Sequence, residues 1–276
     1  MSKSVVHYET REQIAYIRLN RPDVHNALAP ESVRALARMW QTYALDRSAR
    51  VAILSGEGAS FCSGRDMKKT TVGFGHRHSV HAASVSNAPL DDEWSSLPGE
   101  RRRINYVPPP NLYKPIVAAI QGMALGGGLE LALSCDIRIA AKGSRFGLPE
   151  VTRGVVPGSG GLYWLSRLIG MGTAMELAMT GRIIDADEAL ELRLVNRVVE
   201  PGELMLTADA IARQIAQNPP LAVQGVKEAI WRTLGTGLEE GLHASEQQNR
   251  LLQLTQDAEE GARAFEQKRA PRYQGR

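Results

Sequence analysis

Two glutamates and a run of glycines are the residues whose types and spacing could do chemistry. In Gln121-Gly122-Met123-Ala124-Leu125-Gly126-Gly127-Gly128-Leu129-Glu130-Leu131-Ala132-Leu133-Ser134-Cys135-Asp136, an apolar strand pattern runs into consecutive glycines and then into a helical pattern. Without Cβ atoms, the N–H groups of Gly126, Gly127 and Gly128 can come close to a ligand. They also open a helix, where the dipole favours negative charge. Such a place can hold a carbonyl oxygen that gains charge during reaction; it can equally bind phosphate or serve close packing. Neither nucleotide fingerprint is met: the chain has no GxxxxGK[ST], and the spacing here is not GxGxxG. Glu130 falls on the first turn of the helix. Glu150 follows in Phe146-Gly147-Leu148-Pro149-Glu150, ahead of a second glycine cluster, Gly154 and Pro157-Gly158-Ser159-Gly160-Gly161. Two carboxyls in apolar, glycine-rich settings can divide acid and base roles if burial separates their pKa values. As caps or surface carboxylates they would do neither.

The elements that must position these residues alternate along the chain. Ile14-Ala15-Tyr16-Ile17-Arg18-Leu19 reads as a strand ended by Asn20-Arg21-Pro22. Pro30-Glu31 opens a helix with Val33, Leu36, Ala37, Trp40 and Ala44 at helical spacing. Val51–Gly56, Pro115–Ile120 and Ile137–Ala141 are short apolar runs, the pattern of strands buried on both faces. Strand and helix in alternation predict an α/β domain with parallel pairing. Residues 68–113, with Gly73, Gly75, Pro89, Pro98, Gly99 and Pro108-Pro109-Pro110, read as a long loop region with room for one helix. After Pro201 the pattern is helical, broken at Pro219-Pro220, with Ala222, Val226, Ala229 and Ile230 in one apolar stripe.

Composition narrows the class. The 276 residues are 43% hydrophobic and 23% charged, which excludes a disordered chain and allows a sizeable core. A net charge of +3 is too small to point to nucleic acid or an anionic membrane, and it suits a small anionic ligand. The two cysteines, Cys62 and Cys135, make no disulfide framework and no zinc quartet, which fits a reducing compartment. The N-terminal stretch has no apolar signal core and carries Glu9 and Glu12. No run of about 18 apolar residues marks a membrane span.

Gly122–Asp136 together with Phe146–Gly161 resembles the crotonase superfamily and, within it, the enoyl-CoA hydratases. The resemblance extends over most of the chain. Arg21-Pro22 with Asn26-Ala27-Leu28 is similar to the family's CoA-binding loop, and Phe61-Cys62-Ser63-Gly64-Arg65-Asp66 to its first oxyanion-hole segment. Met179-Thr180-Gly181-Arg182, Glu188-Ala189 and Leu194–Val199 resemble its later signature. Lys227-Glu228 and Phe265–Arg269 resemble its C-terminal helices. The resemblance implies a spiral of ββα units over residues 1–200 and a helical trimerisation region over 201–276. It implies a homotrimer or homohexamer, acting in the cytoplasm on an acyl-CoA thioester, with no cofactor beyond the CoA of the substrate, no metal, no nucleic acid and no membrane.

Carried over residue by residue, the resemblance assigns the N–H groups of Arg65 and Gly127 to an oxyanion hole. Glu130 becomes the base that activates water and Glu150 the acid that protonates Cα, with the N–H of Gly158 positioning the water. CoA contacts fall on Val24, Ala27, Ser63, Arg65, Asp66, Met67, Gly126 and Gly127. Lys268, from the same or a neighbouring subunit, is a phosphate candidate. The implied reaction is hydration of the Cα=Cβ bond. The alternatives are another reaction on acyl-CoA (isomerisation, thioester hydrolysis, decarboxylation, carnitinyl-CoA dehydration or C–C cleavage) and a non-catalytic acyl-CoA- or RNA-binding role. The residues support the carry-over: a conjugated thioester is electrophilic at Cβ only if charge can collect on its carbonyl oxygen, and water addition needs a base and an acid.

Some positions depart from the family or invite other readings. Arg65 stands where many relatives have a small residue, and Arg193 where glycine is common. The segment between Asp66 and Gly126 is longer than in common relatives, and residues 70–105 are expected to form a lid or pocket wall. His76, His78 and His81 lack zinc spacing, and Arg101-Arg102-Arg103 reads as a solvated loop. Cys62 and Cys135 read as small buried hydrophobes, and Asp66 and Asp136 as caps or turn residues.

Overall fold

The computed structural model describes residues 4–70 and 106–276. The strands in chain order are β1 (Val6–Arg11), β2 (Ile14–Leu19), β3 (Val51–Gly56), β4 (Ile116–Ile120), β5 (Met123–Leu125), β6 (Ile137–Ala141), β7 (Arg145–Gly147), β8 (Ile184–Asp185) and β9 (Arg197–Val199). The helices are α1 (Pro30–Leu45), α2 (Met67–Thr70), α3 (Gly127–Leu133), α4 (Gly161–Ile169), α5 (Met171–Thr180), α6 (Ala186–Glu191), α7 (Leu204–Ala216), α8 (Pro220–Thr233), α9 (Leu238–Gln253) and α10 (Gln256–Glu266). One sheet has six strands in the order β1-β2-β3-β4-β6-β9; the other has three, β5-β7-β8. In the six-stranded sheet β1 pairs antiparallel at the edge and the other pairs are parallel, as the alternating pattern predicts, whereas β7 and β8 pair antiparallel in the smaller sheet. The units β4-β5-α3 and β6-β7-α4 each send one strand to each sheet before their helix.

Alternation along the strands divides the core. Ile14, Tyr16, Val51, Ile53, Val117, Ala119 and Ile139 face α7. Their neighbours Ala15, Ile17, Ala52, Leu54, Ile116 and Ala118 face the larger core that α1 and α3 complete. Both faces of the strands are thus covered, which explains the unbroken apolar runs. In α1 the buried face holds Val33, Leu36, Trp40 and Tyr43, so Tyr43 rather than the expected Ala44 closes it. Tyr43 donates its hydroxyl to the Pro115 carbonyl at 2.7 Å. Leu204, Ala208, Ala212 and Ala216 form a one-sided stripe on α7, and their small size brings this helix close to the sheet. α7 therefore seals the sheet of residues 1–200 although it lies in the 201–276 region.

The expected helical break at Pro219-Pro220 falls between α7 and α8. α8 packs on α9 through Gly225, whose absent side chain leaves room for Leu252. Val226 and Ile230, from the expected apolar stripe, stay exposed in the single chain at 61% and 57%. Cys62 and Cys135 are buried, and burial pushes each thiol up to about 12, so both behave as small hydrophobes. Arg193 has a left-handed backbone, φ 60°, which accounts locally for a position where glycine fits. Among the described residues no helix is long and apolar enough to cross a membrane. No group of three or more His, Cys, Asp or Glu among them could hold a metal. His76, His78, His81, Arg101–Arg103 and all of the expected lid after Thr70 lie outside the described residues.

Candidate active site

Three chain segments are sewn together at the glycine-rich end of β5. The Leu28 N–H donates to the Gly64 carbonyl at 2.7 Å, and the Asp66 N–H to the Leu28 carbonyl at 3.0 Å. This is a parallel bridge between Leu28 and Arg65, so the N–H of Arg65 faces the opposite side from Leu28. On that side, Cys62 exchanges hydrogen bonds with β5, to Met123 O at 2.8 Å and from Leu125 N at 3.1 Å. Gly64 lies against Gly127: a Cβ on Gly64 would stand 3.4 Å from the Gly127 nitrogen. Gly127 is the first residue of α3, so its N–H has no carbonyl within the helix to bond. The expected donors, Arg65 and Gly127, are therefore carried by neighbouring stretches of backbone.

The loop before α1 is held by two side chains. Asn26 is buried, with a left-handed backbone; its amide accepts from Arg21 N at 2.8 Å and donates to Glu57 O and Ser60 O at 2.9 and 2.7 Å. The Arg21 guanidinium reaches the Ala27 carbonyl and pairs with Asp66 at 2.9 Å. Burial raises the Asp66 carboxyl, but hydrogen bonds from Arg21 and the Lys69 N–H outweigh it, and its pKa lies below the ordinary value. This pair ties the expected CoA loop to the expected oxyanion segment. Val24 and Met67 are exposed there, Ser63 is half-buried, and Ala27 is buried. Arg21→Ala should raise KM for an acyl-CoA about tenfold with a smaller loss in kcat, because the Arg21 ties to Asp66 and to the Ala27 carbonyl are lost and the loop loosens. Steady-state kinetics across acyl-CoA concentration check this, and an unchanged KM would mean that the loop holds itself.

The two glutamates sit in opposite electrostatic settings. Glu130 is 3% exposed on the first turn of α3. Its Oε1 accepts the N–H groups of Ser159 at 2.6 Å and Gly161 at 3.1 Å, and its Oε2 accepts the Tyr106 hydroxyl at 2.7 Å. Three donors around one carboxyl compensate a buried negative charge. Glu150 lies in the 3-10 turn Pro149–Arg153. Its Oε2 is buried with no hydrogen-bond partner among the described residues. Desolvation, joined by the nearby charge of Glu130, raises the Glu150 pKa despite a backbone hydrogen bond and Arg153. Its Oε1 stands 2.9 Å from where a Gly126 Cβ would be, so Gly126, at φ 51°, makes room for the carboxyl. The glycines here are fitted around carboxyls: a Cβ on Gly161 would meet Glu130 Cγ at 2.9 Å.

The structure thus brings together Arg65, Gly126, Gly127, Glu130 and Glu150, with Val24, Ala27, Ser63, Asp66 and Met67 on the adjoining loops. Gly158 is exposed beside Ser159, with no described atom within 4 Å of where a Cβ would stand. Lys268 lies beyond α10 with an exposed side chain. It makes no hydrogen bond or ion pair to the other site residues among those described. Asp66 does cap the start of α2 by accepting the Lys69 N–H, beyond its ion pair. Asp136 instead accepts the Ile116 N–H at 2.7 Å and the buried Lys227 ammonium at 2.8 Å. Sequence reasoning missed Tyr106 and the donors Ser159 and Gly161. The glycine cluster marked the latter pair, but nothing in the spacing marked Tyr106.

The family described as enoyl-CoA hydratase/isomerase matches residues 9–276. The chain belongs to that family. It is an enoyl-CoA hydratase-like enzyme of the crotonase superfamily, as the motifs implied. It is 39% identical to the (E)-benzylidenesuccinyl-CoA hydratase of Thauera aromatica, over 97% of this chain and 98% of that one. It is 37% identical to the short-chain-enoyl-CoA hydratase of Clostridium acetobutylicum, over 95% and 94%. The 2,3-dehydroadipyl-CoA hydratase of Escherichia coli is 34% identical over the full length of both. Among solved structures, the enoyl-CoA hydratase of Mycobacterium tuberculosis H37Rv superposes with a TM-score of 0.86 at 37% identity, covering 99% of this chain and 100% of that one.

Proposed function

We propose that the enzyme adds water across the Cα=Cβ bond of an enoyl-CoA thioester. The observation that carries this reading is the asymmetry of the two carboxyls: Glu130 is held by three donors, and Glu150 is desolvated, with one oxygen that has no hydrogen-bond partner among the described residues. Glu130 is the base and Glu150 the acid. The thioester oxygen lies on the N–H groups of Arg65 and Gly127, which take up charge as Cβ is attacked. Water, positioned by the Gly158 N–H, gives a proton to Glu130 and its hydroxyl to Cβ. Glu150 gives a proton to Cα, so water is consumed once Glu130's proton is returned to Glu150.

CoA lies on Val24, Ala27 and the Ser63–Met67 segment, with Gly126 beside the thioester and Lys268 reaching a phosphate in the assembly. No other cofactor takes part. The protein works in the cytoplasm as a homotrimer or homohexamer built through the helices of 201–276. Exposed Val226, Ile230, Leu238 and Leu242 on α8 and α9 support that assembly. The core of residues 1–200 forms the ββα spiral.

The test is loss of the conjugated thioester absorbance with crotonyl-CoA, 2,3-dehydroadipyl-CoA and (E)-benzylidenesuccinyl-CoA, with the 3-hydroxyacyl product identified by mass. Turnover of any of the three supports hydration. Binding of all three without loss of absorbance overturns it.

A further inference from the structure

We propose that Tyr106 is a positioning residue for Glu130: its hydroxyl fixes Oε2 of the carboxylate beside the oxyanion glycine and holds the charge that activates water. The inference rests on the reading of Glu130 as base, and it adds a residue that no motif marked.

The geometry is specific. The Tyr106 hydroxyl donates to Glu130 Oε2 at 2.7 Å. Its oxygen stands 2.9 Å, and its ring Cζ 3.4 Å, from the point a Gly127 Cβ would occupy. The phenol thus bridges the base and the residue expected to donate to the thioester oxygen. It is anchored from behind, because the Trp40 indole N–H donates to the Tyr106 carbonyl at 2.7 Å and the ring packs on the main core. Tyr106 is therefore placed by the fold.

The division of lone pairs gives the role. Oε1 of Glu130 already accepts two N–H groups, from Ser159 and Gly161. Water must therefore be taken by Oε2, which keeps one lone pair after accepting the Tyr106 hydroxyl. A fixed donor on Oε2 aims that remaining lone pair at the water. Among the described residues the titratable groups around this pair are Glu150, whose charge would oppose that of Glu130, Arg153 beside Glu150, and the buried Cys62 thiol near the phenol. Burial, and then the charge of Glu130, push the Tyr106 phenol far above its ordinary range, so it stays a donor at every working pH.

Tyr106→Phe keeps the ring and its anchor and removes only the O–H. Its kcat should fall about 10-fold to 100-fold with KM nearly unchanged. An infrared spectrum reads the lost hydrogen bond without turnover, as a displacement of the Glu130 carboxylate stretch, with that band identified by its absence in Glu130→Gln. A merely structural role would lower kcat or Tm and leave the band in place, which overturns the proposal. Fluorotyrosine at 106, a stronger donor, should move the band the other way, and no movement there likewise overturns it. If the wild type binds enoyl-CoA without hydrating it while the Glu130 band still moves in Tyr106→Phe, the hydration reading fails and the Tyr106–Glu130 coupling stands.

Discussion

Glu150→Gln is expected to lower kcat for enoyl-thioester hydration by about 10²-fold to 10⁴-fold, with acyl-CoA affinity nearly unchanged. The substitution keeps the size of the side chain beside Gly126 and removes only the acidic proton. Glu150 has the properties of a resting acid: a half-buried carboxyl, an oxygen without a partner among the described residues, and a pKa raised first by desolvation and further by Glu130. The pH profile carries the sign. An acid must hold its proton, so wild-type kcat should fall as pH rises through the raised Glu150 pKa, and Glu150→Gln should lose that alkaline limb. Glu130→Gln should cost a similar factor, because the base that takes the proton of water is removed. Stability separates chemistry from damage. A carboxyl whose folded pKa is raised contributes fully below its unfolded pKa and loses that contribution as pH rises through the folded value. Glutamine at 150 escapes the loss, so at pH 8 the variant should melt no lower than wild type. A variant that keeps wild-type kcat would remove Glu150 from the chemistry; one that loses kcat together with Tm would show a structural role.

The sheet was legible because its signal is local: runs such as Val51–Gly56 and Ile137–Ala141 are buried on both faces, and alternation sends their residues to α7 on one side and to α1 and α3 on the other. The glycines into α3 were legible as a backbone that must approach something, and Glu130 by its place on the first helical turn. Their meaning was not local. That Gly126 makes room for Glu150, and Gly127 for Tyr106, depends on chain segments that meet only in the fold. Tyr106 carries no spacing signal at all, since its hydroxyl is delivered by the Trp40 anchor, far away in sequence. The second glycine cluster was visible as a run of residue types, but that the N–H groups of Ser159 and Gly161 turn onto Glu130 depends on how the loop folds over α3, which residue types alone do not fix. The apolar stripe of α8 was readable as a period, but a period does not say what covers it. Gly225 and Lys227 take the buried positions in the single chain.

Gly64→Ala is expected to cost about 10²-fold to 10³-fold in kcat, the usual effect of losing one oxyanion donor, although no atom of the proposed hole is removed. Gly64 has φ 93°, a backbone that L residues rarely adopt, and its Cβ would stand 2.6 Å from the Leu125 carbonyl oxygen. A backbone atom of β5 cannot swing away as a side chain can, so the Ser63–Asp66 segment must move. On its other edge that segment is bonded to Leu28 by Gly64 O and Asp66 N, so it would move as a unit with the loop before α1. The Arg65 N–H would retreat from Gly127, and two donors that must converge on one oxygen would diverge. The ground-state thioester tolerates this better than the charged transition state, so kcat should fall more than KM rises. Gly172→Ala is the matched control. It lies in α5 with nothing within 4 Å of the added Cβ, and alanine favours the helix; its kcat should match wild type. Kinetics well below the melting temperature of each variant check the pair, and wild-type turnover by Gly64→Ala would mean that the Arg65 N–H does not hold the thioester oxygen.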